Sequence, residues 1–338
     1  MHKVARSAAA AAALVGAATL AVPQAQAEEA NYILATASTG GTYYPVGVAL
    51  ATLVKVKLQP GEGIGMSAIN SAGSGETVRL LREGEAQFAI LQGLYGYYAA
   101  TGTGPLEESG KQENLRSVTM LWQNVEHFVI ASDKVQSGTL SDMAALKGEA
   151  MALGSQNSGT IGSNAALLEG LGVNIDSDYE LVYGGYGPSA AALQDGQVAG
   201  IGTPAGVPVG AISQLFASVG DQVTLLNVTD EELAQADGGR ELWTPYTIPA
   251  GTYPGLDQDV TTIAQPNFLA TSADVSEDNV YMITKTIYEN LPFLQAIHPA
   301  TKAMAIEKAI AGLPLPLHPG ALKYYEEVGI EVPDRLKP

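Results

Sequence analysis

The sequence contains no cysteine, which removes disulfides, thiolate nucleophiles and zinc–sulfur centres from consideration. It is poor in positive charge: 17 Lys and Arg stand against 35 Asp and Glu, for a formal net charge of −18. A chain this acidic does not neutralise phosphates, so nucleic acid and anionic membrane surfaces are excluded as partners. Histidine is scarce, four in all, and no two are spaced as H-x-x-x-H, so no metal site is expected. The G-x-S-x-G elbow and the G-x-x-x-x-G-K-S/T phosphate loop are both absent. Gly61-Glu62-Gly63-Ile64-Gly65 has the wrong spacing for a dinucleotide fingerprint and precedes a strand pattern instead of following one. Asp257-Gln258-Asp259 reads as a solvated loop rather than a calcium site. No catalytic constellation and no cofactor is expected, so the chain reads as a non-enzyme; a secreted hydrolase or lyase would need a base and nucleophile that the sequence does not offer.

Long apolar runs are confined to the N-terminus. His2, Lys3 and Arg6 precede an Ala-rich stretch from Ala8 to Val22, and Ala25-Gln26-Ala27 follows ahead of Glu28-Glu29. A basic start, a short apolar core and an A-x-A site form the secretory signal pattern. It predicts residues 1–27 as a signal peptide cleaved after Ala27, with the mature chain in the periplasm. Cleavage takes away two cations and no acid, deepening the charge to −20.

The length, 338 residues, suits two globular lobes. Strand, small-residue turn and helix alternate twice in each of two stretches. Tyr32–Ala37 leads through Ser38–Thr42 into a helix at Tyr44–Lys57, and Gly65–Asn70 leads through Ser71–Gly75 into Glu76–Glu83, before a strand at Ala86–Gln92. The grammar returns at Glu149–Leu153, Gly154–Thr160 and a helix to Gly170, then Glu180–Tyr183, Gly184–Pro188, Ser189–Gln194 and Gln197–Gly202. Gly41-Thr42 aligns with Gly159-Thr160, and Leu81–Ala86 with Leu193–Val198. This predicts two similar α/β lobes, each a small doubly wound sheet. Ser117–Ala131 and Thr244–Ala270 read as the two crossings between them. Residues 28–125 with 243–338 are assigned to lobe one and 126–242 to lobe two. Helices are expected at Glu277–Asn290, Leu291–His298, Thr301–Ile310 and Gly320–Val328.

Four small-residue loops stand after strands and before helices: Ser38–Thr42, Ala72–Glu76, Gly154–Thr160 and Gly184–Ser189. A helix N-terminus offers free N–H groups and about half a positive charge, hydroxyls add donors, and Gly admits a ligand to the backbone. No Lys or Arg falls inside them, so an anion would be held by amides, hydroxyls and dipoles. In a two-lobed α/β protein these loops face the cleft. Tyr43, Tyr44, Tyr183 and Tyr186 flank them, each with an apolar face and a hydroxyl tip. Gln92 and Thr203-Pro204-Ala205 end the matching strands. The expected ligand contacts are Gly41, Thr42, Tyr43, Ser74, Gln92, Ser155, Ser158, Gly159, Thr160, Tyr183, Tyr186 and Pro204.

The run Thr36-Ala37-Ser38-Thr39-Gly40-Gly41-Thr42-Tyr43-Tyr44-Pro45-Val46-Gly47 resembles the opening motif of TAXI proteins, the binding subunits of one class of TRAP (tripartite ATP-independent periplasmic) transporters. Leu80–Ala86, Gly102-Thr103-Gly104-Pro105, Asp195-Gly196-Gln197, Ile248–Gly255 and Leu313–Gly320 extend the similarity over essentially the whole mature chain. The resemblance implies a type II periplasmic-binding-protein fold and a monomeric receptor. It would close on a glutamate-like amino acid or a C5 dicarboxylate and deliver it to an ion-driven permease. A related lobe pair feeding a sensor kinase is the alternative. The family's site residues correspond to Gly41, Thr42, Tyr43, Ser74, Gln92, Ser155, Ser158 and Thr160. Two departures stand out: Ala131, where many relatives have arginine, and Asn157, where glycine is common. If that arginine pairs with a ligand carboxylate in relatives, a less charged ligand is expected here.

Overall fold

The computed structural model describes residues 29–338; the expected signal peptide lies outside the described residues. The strands are β1 (Ala30–Ala35), β2 (Ile64–Ile69), β3 (Phe88–Gln92), β4 (Leu115–Val125), β5 (Phe128–Ala131), β6 (Ala150–Ala152), β7 (Glu180–Leu181), β8 (Gly200–Gly202), β9 (Val223–Leu225), β10 (Thr244–Ile248) and β11 (Val260–Ser272). The helices are α1 (Tyr43–Glu62), α2 (Ser74–Arg82), α3 (Gly93–Thr101), α4 (Ser141–Ala145), α5 (Gly159–Gly170), α6 (Ile175–Asp178), α7 (Tyr186–Gln194), α8 (Gly210–Val219), α9 (Asp230–Asp237), α10 (Glu277–Glu289), α11 (Leu291–Gln295) and α12 (Pro319–Glu327).

The strands form two sheets. The first runs β10-β11-β3-β1-β2 with β4 also paired to β11, and the second runs β7-β6-β8-β5-β9. Each holds three parallel strands in the order second, first, third: β2-β1-β3 in one and β7-β6-β8 in the other. An antiparallel strand follows in both, β11 beside β3 and β5 beside β8. The internal echo in the sequence has this physical basis. Gly41-Thr42 and Gly159-Thr160 open the helices that follow the central strands β1 and β6. This is the type II periplasmic-binding-protein architecture.

Of the parallel strands, β3 and β8 are buried along their whole length, which is why Phe88–Leu91 reads as a continuous apolar run and not as an alternating one. Leu34, Phe88, Ile90, Leu91, Phe268 and Leu269 are fully buried in sheet one, against Val46, Leu50, Leu53 and Val54 of α1. The chain leaves sheet one along β4, turns at Glu126-His127 and enters sheet two as β5. It returns after α9 through residues 238–243 into β10. Asp237 holds that return, its carboxylate accepting N–H from Glu241, Leu242 and Trp243.

Several elements differ from expectation for local reasons. Helix α1 runs past Pro60 to Glu62, because a proline near the C-terminus costs one hydrogen bond and the stop is set by Gly63 in the left-handed region. Helix α3 carries Gly93, Gly96 and three tyrosines, a composition that hides a helix. Gly96 is required by packing, since a Cβ there would lie 2.2 Å from Pro314. Thr301–Ile310 forms two short 3₁₀ turns around an extended Met304-Ala305 instead of one α-helix. Met304 is buried there. Among the described residues no helix is long and apolar enough to cross a membrane.

Candidate functional site

One cleft between the two sheets is lined by Thr42, Gly73, Gln92, Ser158 and Gly185, each the residue that precedes and caps a helix: α1, α2, α3, α5 and α7. Its empty space is about 470 Å³, counting the solvent-open mouth. The first N–H groups of a helix have no acceptor within the helix. The cleft therefore gathers the positive ends of five helix dipoles, although the Glu76, Leu94 and Ile161 N–H groups already donate to Asn157 C=O, Gln265 Oε1 and Ser158 Oγ. No lining residue is Lys, Arg, His, Asp or Glu. One carboxylate tempers this field: Glu76, in the first turn of α2, accepts the Ala72 N–H at 2.6 Å.

Of the twelve residues expected as ligand contacts, Gly41, Thr42, Tyr43, Ser74, Gln92, Ser155, Ser158, Gly159, Thr160, Tyr186 and Pro204 all line this cleft. Tyr183 does not. Strand β7 ends at Leu181, and Tyr183 lies in the loop beyond, 48% exposed. Asn124, at the end of β4, also lines the cleft and sequence reasoning missed it. The one available signal was a polar cluster, Gln123-Asn124 and Glu126-His127, at the end of β4 and in the turn after it. Ala131 lies elsewhere, beside a separate groove with Ser132, Asp133 and Gln194.

The hydroxyls are neutral donors. Burial holds the Tyr43 phenol well above its ordinary range, with the Tyr186 phenol beside it adding to the effect. The Tyr186 phenol is pushed up in the same way. Tyr43 donates to Asn267 Oδ1, and Tyr186 donates to the carbonyl of Pro204 and lies 3.1 Å from Thr160 Oγ1.

The lobes meet directly across the cleft. Thr42 Oγ1 stands 3.2 Å from both the N–H and the carbonyl of Gly206, donating to one and accepting from the other. Glu76 N–H donates to Asn157 C=O at 2.9 Å, Gln92 Nε2 to Gly159 C=O at 2.7 Å, and Tyr95 OH to Ser158 C=O at 3.3 Å. Asn157 has φ 60°, a left-handed conformation that asparagine tolerates better than most residues.

Behind the cleft, at the turn between β4 and β5, Glu126 is fully buried. Its Oε1 accepts from Ser163 Oγ at 2.6 Å and Trp243 Nε1 at 3.1 Å. Desolvation pushes its carboxyl up to about 7, although the hydrogen bonds from Ser163, Trp243 and Gln265 pull the other way. Desolvation lowers the adjacent His127 to about 4, so at neutral pH its ring is uncharged. It is wedged between Tyr253 OH and the carbonyls of Val125 and Thr203.

The family model described as the NMT1-like family matches residues 34–329. The chain belongs to the NMT1-like family, a family of periplasmic solute-binding proteins. Among solved structures, this NMT1-like protein is similar to MatC from Rhodopseudomonas palustris with bound malate. The TM-score is 0.54 and the identity 16%, over 88% of this chain and 98% of that one. It is also similar to a protein from Bordetella bronchiseptica RB50, with a TM-score of 0.53 and 13% identity over 90% of this chain and 85% of that one. At these identities the likeness establishes the shared fold.

Proposed function

We propose that this NMT1-like protein is an exported receptor that captures a small carboxylate-bearing solute in the interlobe cleft and hands it to a TRAP-type permease. Five helix N-termini opening onto one cleft with no charged side chain carry this reading. Fixed amide dipoles act over a few ångströms and are worth more in a partly desolvated site than in water. They hold a carboxylate locally against the distant repulsion of a strongly acidic protein. The four direct links between lobes support closure as the binding step, since a ligand that favours the closed form shifts the population towards it.

The TRAP partner and the C5 class of ligand rest on the TAXI-like runs at residues 36–47, 248–255 and 313–320. Residues 28–338, unfolded and refolded to strip carried-over solute, would be titrated calorimetrically with glutamate, glutamine, pyroglutamate, 2-oxoglutarate and C4 dicarboxylates. Saturable one-to-one binding to a C5 compound is the expected result. Binding only to C4 compounds overturns the C5 class. A folded protein silent to every carboxylate overturns the reading.

A further inference from the structure

Among the described residues, buried side-chain atoms without a hydrogen-bond partner include Trp122 Nε1, Asn124 Oδ1, Glu126 Oε2 and Asn267 Nδ2. Of all the residues with such an atom, Asn124 alone lines the interlobe cleft. It is 1% exposed, so its free oxygen is not an ordinary hydrated surface group. Native proteins pair buried acceptors with protein groups, ordered water or a ligand, and an acceptor that lines a ligand cleft is placed to take its partner from the solute.

Two hydrogen bonds fix which end of the Asn124 amide is free. Gly159 C=O, at the head of α5, accepts from Gln92 Nε2 at 2.7 Å. A carbonyl only accepts, so the Gln92 nitrogen faces α5 and its oxygen faces away. That oxygen accepts from Asn124 Nδ2 at 3.3 Å. One N–H of the Asn124 amide is thereby committed to Gln92, and the oxygen is the atom left without a protein partner. Reversing Asn124 would set two carbonyl oxygens face to face. Gln92 and Asn124 stand on β3 and β4 of the first sheet, whereas Gly159 follows β6 of the second. The polarity of this relay is therefore set across the cleft by lobe closure.

We infer that Asn124 Oδ1 is a specificity-determining acceptor, and that the solute presents to it a hydrogen-bond donor carried beside its carboxylate. The inference rests on the carboxylate-binding reading above and narrows its ligand class. A hydroxy or amino acid satisfies the oxygen. The matching oxo acid offers a second acceptor, and the unsubstituted diacid offers a methylene. Sites built around a buried polar partner reject such isosteres strongly, because the protein group is left unpaired.

The test compares 2-hydroxyglutarate with 2-oxoglutarate, equal in charge and length, and adds glutamate and glutarate. All are titrated into the stripped protein and into Asn124→Leu. The expected result is at least about tenfold tighter binding of 2-hydroxyglutarate than of 2-oxoglutarate by the wild type. In Asn124→Leu that ratio collapses towards one. Equal or tighter binding of 2-oxoglutarate by the wild type overturns the inference, as does an unchanged ratio in a folded Asn124→Leu. If the variant does not fold, the wild-type ratio decides alone. Silence to all four probes refutes the C5 class separately. The inference is then judged on the compound recovered by native mass spectrometry from unstripped protein: one without an O–H or N–H hydrogen overturns it.

Discussion

Gly75 is the residue at which closure is most sharply exposed to a single methyl group. It is the second residue of α2, and a Cβ built there would lie 2.4 Å from the Asn157 carbonyl oxygen, 3.0 Å from its carbon and 3.3 Å from the Tyr95 ring. That carbonyl receives the Glu76 N–H across the cleft at 2.9 Å, so it cannot retreat without losing a lobe-to-lobe bond. With the lobes apart only the 3.3 Å approach to Tyr95, a residue of the same lobe, remains, and helix propensity and a less mobile unfolded chain offset it by up to about 1 kcal/mol. With the lobes together, overpacking of this kind costs about 1–3 kcal/mol. Gly75→Ala is therefore expected to weaken solute binding by about 5- to 150-fold. The unliganded melting temperature should hold or rise. Calorimetry with the tightest-binding member of the C5 panel, and thermal unfolding without it, give both quantities. Unchanged affinity would refute the reasoning. Equal loss of affinity and of unliganded stability would refute the closure step, because Gly75 would then pack the resting state.

The other predictions are simpler. Thr42→Ala removes the hydroxyl that bonds both polar groups of Gly206 and should weaken binding by about five- to tenfold, with little change in unliganded melting temperature. Tyr183→Ala should leave affinity within about twofold by calorimetry, since an exposed side chain outside the cleft contributes little. For Glu126 the folded-state pKa is raised from 4.5 to about 7, so the native state binds the extra proton and the stability it confers is lost as pH rises through about 7. His127, lowered from 6.5 to about 4, acts in the opposite sense: the stability it confers is present above 6.5 and lost as pH falls towards 4. Glu126→Gln removes the first effect alone. Against wild type it should gain up to about 3 kcal/mol at pH 8 and almost nothing at pH 4.5, read by denaturant unfolding at both values.

Much of the cleft was legible because its chemistry is local. Ser38–Thr42, Ala72–Glu76, Gly154–Thr160 and Gly184–Ser189 announce themselves as Gly- and Ser-rich breaks between apolar runs, and such breaks fall where strands hand over to helices. The echo between Gly41-Thr42 and Gly159-Thr160 carried the two-sheet arrangement. Asn124 was not legible, because an asparagine within a strand acquires meaning only from what β3 and α5 place beside it. Tyr183 lies outside the cleft for a related reason: its neighbours in sequence line it, but β7 stops at Leu181 and leaves Tyr183 in the loop beyond. Helix α3 was hidden because Gly96 answers to the contact with Pro314 and Phe268 rather than to helix propensity. The place of Ala131 beside another groove was equally hidden, since it is a tertiary fact.

On the proposed reading, neutral donors and helix dipoles hold the solute without help from a formal positive charge. The affinity of the stripped protein for the tightest-binding carboxylate of the panel, measured at about 20 mM and about 500 mM salt, tests this. The affinity is expected to stay flat or rise modestly, because salt screens the repulsion from the acidic protein while leaving the short-range amide contacts intact. A tenfold fall in affinity would contradict it, because it would show that a screened ion pair, and not the uncharged cleft, does the binding.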